Sequence, residues 1–371
     1  MKRLSLLLFL LVALCFDSFA CTSAVVAPHR SSEGVPLLWK HRDATFNKVC
    51  VDYITSGKYA YTAVVPHNKG LKIAFAGINE TGFGIINTAT ENLQAASIEE
   101  YSACTYKEVD WNELYHFALQ NFSTVDEYEV LLRNTKRKHK FSANIAVADG
   151  TGAVAYFEIS DLHYYRYNTT DHKEGFDVRS NFSFAGVEDK RGPSTRRYDI
   201  IMQEMSTHKG KFSPQQFFSY SRSYNSCAYG DILTSHDEYI CSNHTVPRLG
   251  TAGVFVLVCD AKCPRMLVTI GHSVSGIAVP IYVQAKHNIP ECAKSNNMQL
   301  LSNDFKAKAY HWVKGKGAML HKDIIRHVLK IKQPRIDFPQ QLPANIEACN
   351  ANIDKQFNKH AVRVRRVLAK F

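Results

Sequence analysis

The stretch Cys21-Thr22-Ser23-Ala24-Val25-Val26, followed after a loop containing Gly34 by Leu37-Leu38-Trp39-Lys40-His41-Arg42-Asp43, decides how this chain is read. Two β-rich runs joined by turn chemistry form a hairpin, and its second strand ends in a cluster of charges. Upstream, residues 4–16 are the one run apolar enough to interest a membrane, and they fall short of the ~20 residues that a spanning helix needs. Lys2 and Arg3 precede that run, and Ser18 and Ala20 occupy the small-residue positions before a cut. Residues 1–20 therefore read as a secretory signal peptide, with no transmembrane segment. The mature chain is expected to begin at Cys21 and to be secreted or periplasmic.

A cysteine made N-terminal by processing carries a thiol and a free α-amine with a pKa of about 7.7–8.0 on one residue. The amine takes the thiol proton, directly or through one water, and the thiolate attacks a carbonyl to give an acyl-enzyme. Two plainer readings stand beside this one: a lipid-attachment residue, which would anchor the protein at Cys21, and a disulfide partner. A lipoprotein signal wants an aliphatic residue three before the cysteine, and that position holds Ser18, with bulky Phe19 next.

Three further stretches bear on the chemistry: Lys40-His41-Arg42-Asp43, then Gly77-Ile78-Asn79-Glu80-Thr81-Gly82-Phe83-Gly84-Ile85-Ile86-Asn87, then Val178-Arg179-Ser180-Asn181-Phe182. With Cys21-Thr22 they resemble the N-terminal-nucleophile (Ntn) linear amide hydrolases, the superfamily of choloylglycine hydrolase, penicillin V acylase, acid amidase and isopenicillin N acyltransferase. The likeness runs with gaps from Cys21 to about residue 283. It implies an α+β fold, the four-layer αββα sandwich, with Cys21 as nucleophile and Asp43 orienting its amine. Lys40 stands where several relatives have arginine, so Lys40 and Arg42 are both candidates for the cation that favours the thiolate. Asn87 and Asn181 match the oxyanion donors. Ser194-Thr195-Arg196-Arg197-Tyr198 resembles a helix start in the acyltransferase branch, which makes Arg196 a candidate substrate contact; a solvated helix start is the plainer reading.

The implied activity is hydrolysis of a linear amide in a small N-acyl substrate, or acyl transfer to an amine, with no cofactor and no metal. Two alternatives remain: a dipeptidase-like relative using the same cysteine, and a non-enzymatic, disulfide-rich secreted lipoprotein or binding module.

The rest of the sequence sets the frame. The chain has 371 residues, 45% hydrophobic and 21% charged, which excludes a disordered protein. Strands (22–26, 36–41, 59–65, 71–75, 83–87) lead to two helices, 110–120 and one capped by Thr124 and Glu127. Strands resume at 144–147, 153–159, 163–167 and 176–179. Helices follow at 194–205 and 213–220, then a β block over 244–283. This gives an amidase domain over 21–290 and a helical extension over 291–371.

Residues 301–371 hold ten lysines and five arginines against five acids, a net charge of +10, so nearly all of the excess charge lies there. That makes residues 301–371 a candidate contact for an anionic surface, against the plainer reading of a solvated helical face. No nucleic-acid partner is expected, and nothing in the sequence specifies an oligomeric state. Cys15 leaves with the signal, and eight cysteines other than Cys21 remain, enough for four disulfides in an oxidising compartment. Cys259 and Cys263 lack zinc-finger spacing, and Lys314-Gly315-Lys316-Gly317 lacks that of a phosphate loop.

Overall fold

The computed structural model describes residues 21–44, 48–67, 73–90, 92–110, 112–187, 193–226, 230–313 and 317–371. The expected signal peptide and cleavage site, residues 68–70 of the expected turn, and Cys227 lie outside the described residues.

Thirteen strands build two antiparallel sheets. In chain order they are β1 (Thr22–Val26), β2 (Leu37–Asp43), β3 (Val49–Ile54), β4 (Tyr61–Pro66), β5 (Ala76–Asn79), β6 (Gly84–Ala89), β7 (Ala143–Ala148), β8 (Val154–Ile159), β9 (Tyr164–Asn168), β10 (Phe176–Arg179), β11 (Thr251–Val258), β12 (Arg265–Ile270) and β13 (Val279–Tyr282). The first sheet runs β10-β1-β2-β11-β12-β13 and the second β9-β8-β7-β6-β5-β4-β3. Because side chains alternate across a strand, each sheet offers one face to the other and one to a helical layer.

Between the sheets, Val25, Leu38, Phe255, Leu257 and Val268 pack against Val51, Val64, Ile78, Ile86, Ala146 and Tyr156. The outer face of the first sheet (Ala24, Val26, Trp39, Val254, Val256) is covered by Ile200, Ile201, Met205 and Phe217. The outer face of the second (Ala63, Ile85, Ile145, Val147, Phe157) is covered by Leu114, Leu119, Tyr128 and Leu132. Helix, sheet, sheet, helix is therefore the layer order. The helices concerned are α1 (Ala118–Asn121), entered through a π-helical turn at Glu113–Phe117, α2 (Val125–Arg133), α3 (Pro193–Thr207) and α4 (Pro214–Tyr220).

Local chemistry fixes the ends of these elements. The Thr124 hydroxyl accepts from the Glu127 amide at 3.2 Å while the Glu127 carboxylate accepts from the Thr124 amide at 3.0 Å, the expected capping box. The β5–β6 turn is held by Asn79, which is fully buried. Its side-chain oxygen accepts from the amides of Thr81 and Phe83, and its nitrogen donates to the carbonyls of Leu119 and Phe122. Gly82 closes that turn at φ +85°, where a Cβ would come within 2.9 Å of the Asp260 backbone.

After β13 come α5 (Glu291–Lys294), α6 (Asn297–Ala309), α7 (Lys322–Leu329) and α8 (Ile346–Leu368). Met298, Leu301, Phe305, Ile325, Phe357 and Val364 of these helices belong to the same apolar cluster as the inter-sheet core. Strand Gly317–His321 pairs with Tyr239–Cys241, which ties the extension to the chain before it. The basic residues of α8 lie mostly on its exposed side, whereas Ile353, Phe357, Ala361 and Val364 face inward.

The disulfides expected from the cysteine count are not seen among the described residues: Cys21, Cys104, Cys241, Cys259, Cys263, Cys292 and Cys349 are free thiols there. Cys259, Cys263 and Cys292 behave as small core residues, and burial pushes each of these thiols above its ordinary pKa. Among the described residues no helix is long and apolar enough to cross a membrane.

Asn79 makes a clean test of this packing. Asn79→Ala orphans two backbone amides and two carbonyls at a buried turn and should cost roughly 1–3 kcal/mol. Urea unfolding measures it, and an unchanged midpoint would contradict the assignment of Asn79 as the structural pin of the hairpin.

Candidate active site

The alternation of β2 sorts its charged end into two groups. Lys40 and Arg42 face the second sheet, together with Ser23, which lies opposite Lys40 on β1. The Ser23 hydroxyl meets that of Tyr156 at 2.8 Å. Lys40 Nζ donates to Asn87 Oδ1 on β6 at 2.5 Å and to the Phe75 carbonyl at 3.0 Å. The Arg42 guanidinium lies 4.1 Å over the Phe75 ring. Trp39, His41 and Asp43 face the other way, toward the α3–α4 layer. Trp39 Nε1 donates to Ser221 Oγ at 3.1 Å.

Cys21 lies at the open end of β1, 6% exposed, with its Sγ 3.8 Å from the Asp43 carbonyl oxygen. Thr22 is opposite His41 in the register, so the next step of the ladder sets Cys21 beside Arg42. The sulfur and the two cations thus share one face of the hairpin. Lys40 is almost fully buried, and that burial pushes its amine down to about 8; the negative charge of Cys21 works against this shift and Arg42 adds to it.

Asp43 is held from three directions. Arg248 Nε donates to Oδ2 at 2.7 Å, Thr251 Oγ1 donates to Oδ1 at 3.0 Å, and His41 Nε2 lies 3.3 Å from the same oxygen. Burial alone would raise this carboxyl, but the charges of Arg248, His41 and Arg197 and the His41 hydrogen bond outweigh it and hold Asp43 well below the ordinary carboxylate range. It is ionised wherever the protein is folded near neutral pH.

The floor beneath Cys21 comes from β10 and α3. Ser180 Oγ donates to the Cys21 carbonyl at 3.2 Å. Arg197, 1% exposed, donates through Nη2 to Ser180 Oγ at 3.0 Å and Asn181 Oδ1 at 2.8 Å, and through Nε to Thr22 Oγ1 at 3.2 Å. Asn181 Nδ2 donates to the Ala89 carbonyl at 2.8 Å. Asn144 Nδ2 pins the same loop through the carbonyls of Ser180 and Phe182 at 3.1 and 2.8 Å.

The structure thus gathers Cys21, Lys40, Arg42 and Asn87 at one end of the inter-sheet space, with Asn181 beside them through Arg197 and Ser180, and sets Asp43 at the end of the same strand with its side chain on the opposite face. Arg196 is the exception. It is exposed, and the arginine that reaches the site is its neighbour Arg197, because only Arg197 shares the α3 face of Ile201 and Met205. Sequence reasoning also missed His41, Arg248, Thr251 and Ser180. The one usable signal was Arg197 at i, i+4, i+8 with two buried apolar residues. Arg248 sits in a loop whose side-chain direction no periodicity encodes.

Among the described residues no group of His, Cys, Asp and Glu is arranged to hold a metal ion. A cavity of about 730 Å³ opens on the outer side of the second sheet, lined by Asp52, Tyr61, Glu113 and His116 among others, and shares no lining residue with the Cys21 site.

No protein-family model matches the chain, and neither does any curated protein. Solved structures do. A mutant of the conjugated bile acid hydrolase from Clostridium perfringens aligns with TM-score 0.45 and 12% identity, over 71% of this chain and 93% of that one. Penicillin V acylase from Agrobacterium tumefaciens gives TM-score 0.43 and 12% identity over 71% and 86%. The Caenorhabditis elegans ortholog of N-acylethanolamine-hydrolyzing acid amidase gives 0.40 and 14% over 64% and 92%.

The buried lysine generates a pH prediction. A lysine whose folded pKa lies below its unfolded value penalises the fold fully below about 8 and not at all above about 10.5, so stability gained from this group rises across that window. Wild type should therefore gain on Lys40→Met between pH 7 and pH 10.5, by on the order of 3 kcal/mol for a shift of about 2.5 pH units. Denaturant titrations of both proteins at the two pH values test this; a constant difference would show that Lys40 is not buried as a free amine.

Proposed function

We propose that the protein is an N-terminal-nucleophile cysteine amidase, cleaving a linear amide of an N-acyl substrate through an acyl-enzyme on Cys21. The observation that carries this reading is the shared placement of one thiol, two cations and an amide side chain on the inner face of β1, β2 and β6, with an ionised aspartate at the end of the same strand. Removal of residues 1–20 would free the Cys21 amine, and the signal-like pattern there supports export as the step that does so. Secretion or passage to a periplasm belongs to this proposal.

The steps follow from the groups present. The Cys21 amine takes the thiol proton, and Lys40 faces the resulting negative sulfur. The sulfur attacks the acyl carbonyl. Asn87 is oriented by its Oδ1 bond from Lys40, which leaves its Nδ2 as the donor directed at the developing oxyanion, with Asn181 as the second donor. Asp43 steadies the ammonium form of the amine, which then protonates the leaving nitrogen. Water, or a second amine in the case of acyl transfer, releases the acyl group.

Two measurements test the reading. Asn87→Ala should lower kcat by roughly 10²–10³, as loss of one oxyanion donor does, with little effect on folding. A form that keeps Ala20 ahead of Cys21 has no free amine and should turn over no substrate, while protein starting at Cys21 should release amine from N-acyl amides. Full activity with the amine blocked would overturn the mechanism.

A further inference from the structure

The long helix α8 carries a row of cations on one line. Lys355, Lys359, Arg363 and Arg366 are all exposed, and Lys370 continues the line just past the helix end. Steps of three and four residues keep successive side chains on one face of the helix. At 1.5 Å per residue the five cations make a straight stripe of roughly 22 Å. Ile353, Phe357, His360, Ala361 and Val364 lie on the opposite side and are buried. Val362, 46% exposed, sits within the stripe.

The acids of α8 are placed elsewhere. Asp354 accepts from the backbone amides of Glu291 and Cys292 at 3.0 and 2.8 Å, and Glu347 lies in the first turn, ahead of the stripe. Arg365, on a neighbouring face, donates to Asp304 at 2.8 Å. The five stripe cations, by contrast, make no hydrogen bond or ion pair among the described residues.

Folding does not account for this arrangement. Cations in a last turn complement the helix dipole, which covers Arg365 and Arg366. Lys355, Lys359 and Arg363 lie further back. Like charges four residues apart repel, so the Lys355–Lys359 and Lys359–Arg363 pairs cost the helix stability unless anions face them.

A planar array of negative headgroups fits a straight, solvent-facing row of cations. Each cation gains from the surface potential, while Val362 and the aliphatic stems of the lysines reach the boundary between headgroups and acyl chains. A nucleic-acid duplex would match the charge but presents its phosphates on a curved, grooved surface with no apolar layer for Val362.

We propose that the exposed face of α8 docks the protein peripherally on an anionic phospholipid bilayer, with Lys355, Lys359, Arg363, Arg366 and Lys370 against the headgroups. The helix lies along the surface and does not insert. This surface is independent of the chemistry at Cys21, and the C-terminal extension then has a role of its own.

Cosedimentation of protein beginning at Cys21 with vesicles tests this, with phosphatidylcholine and phosphatidylglycerol at about 7:3 set against phosphatidylcholine alone. Binding should need the phosphatidylglycerol and fall at least about tenfold between about 0.1 M and about 0.5 M salt. Neutralising three stripe cations together, Lys359→Gln, Arg363→Gln and Arg366→Gln, should weaken it roughly a hundredfold, at about fivefold per cation. A control with Lys173→Gln, Lys209→Gln and Lys211→Gln, exposed cations ahead of the extension, has the same net charge and should bind within about twofold of wild type. The single substitution Lys359→Gln should cost about fivefold, which keeps the test decisive if the triple variant does not fold. Equal binding to the two vesicle types, equal losses in the stripe and control variants, or tighter binding to a DNA duplex than to the anionic vesicles at the same salt would overturn the proposal.

Discussion

Lys40, His41, Arg42 and Asp43 are four consecutive ionisable side chains in a central strand, every one of them buried, and the site depends on how that burial is made tolerable. Taking a charge out of water costs several kcal/mol per ion even after relaxation. Strand alternation divides the burden. Asp43 and His41 fall on the helix side, where Arg248 and Thr251 satisfy the carboxylate. Lys40 and Arg42 fall between the sheets, where Asn87, the Phe75 carbonyl and the Phe75 ring receive them. The inner group lacks a carboxylate of its own. That deficit is what makes the Cys21 end of the sandwich a place for negative charge to appear, first on sulfur and then on an oxyanion.

The layered fold was legible because most of its strands are long runs of apolar and small residues with clear turn chemistry between them. β1 and β10 fall on the expected residues, and β7 and β8 differ by one residue at one end or both. The strand Val49–Ile54 went unassigned. It lies at the sheet edge, where Cys50, Asp52 and Ile54 alternate with Val49, Val51 and Tyr53 and dilute the apolar signal. Phe75, placed in a strand over 71–75, instead lies just before β5 and supplies the ring and carbonyl that Lys40 and Arg42 use.

The site divides along the same line. Cys21, Asp43 and Asn87 are legible because they belong to the short motifs that carry the resemblance to the amide hydrolases. Arg248 is not, because it reaches the site through tertiary packing from distant chain. It sits in the loop before β11. The extension shares the inter-sheet core through Phe305, Phe357 and Val364, so its position is set by the same apolar burial that holds the two sheets together. A basic segment with so large an apolar share in the core has its charges sorted, some outward and at least one inward.

The central claim is that Cys21 carries the acyl group during turnover. Protein beginning at Cys21 can be quenched in acid during reaction with an N-acyl amide, digested and read by peptide mass spectrometry. The account predicts the mass of the acyl group on the peptide that starts at Cys21, as a thioester lost to hydroxylamine. An unmodified Cys21 peptide while amine is being released, or an acyl group carried by another residue, would contradict it.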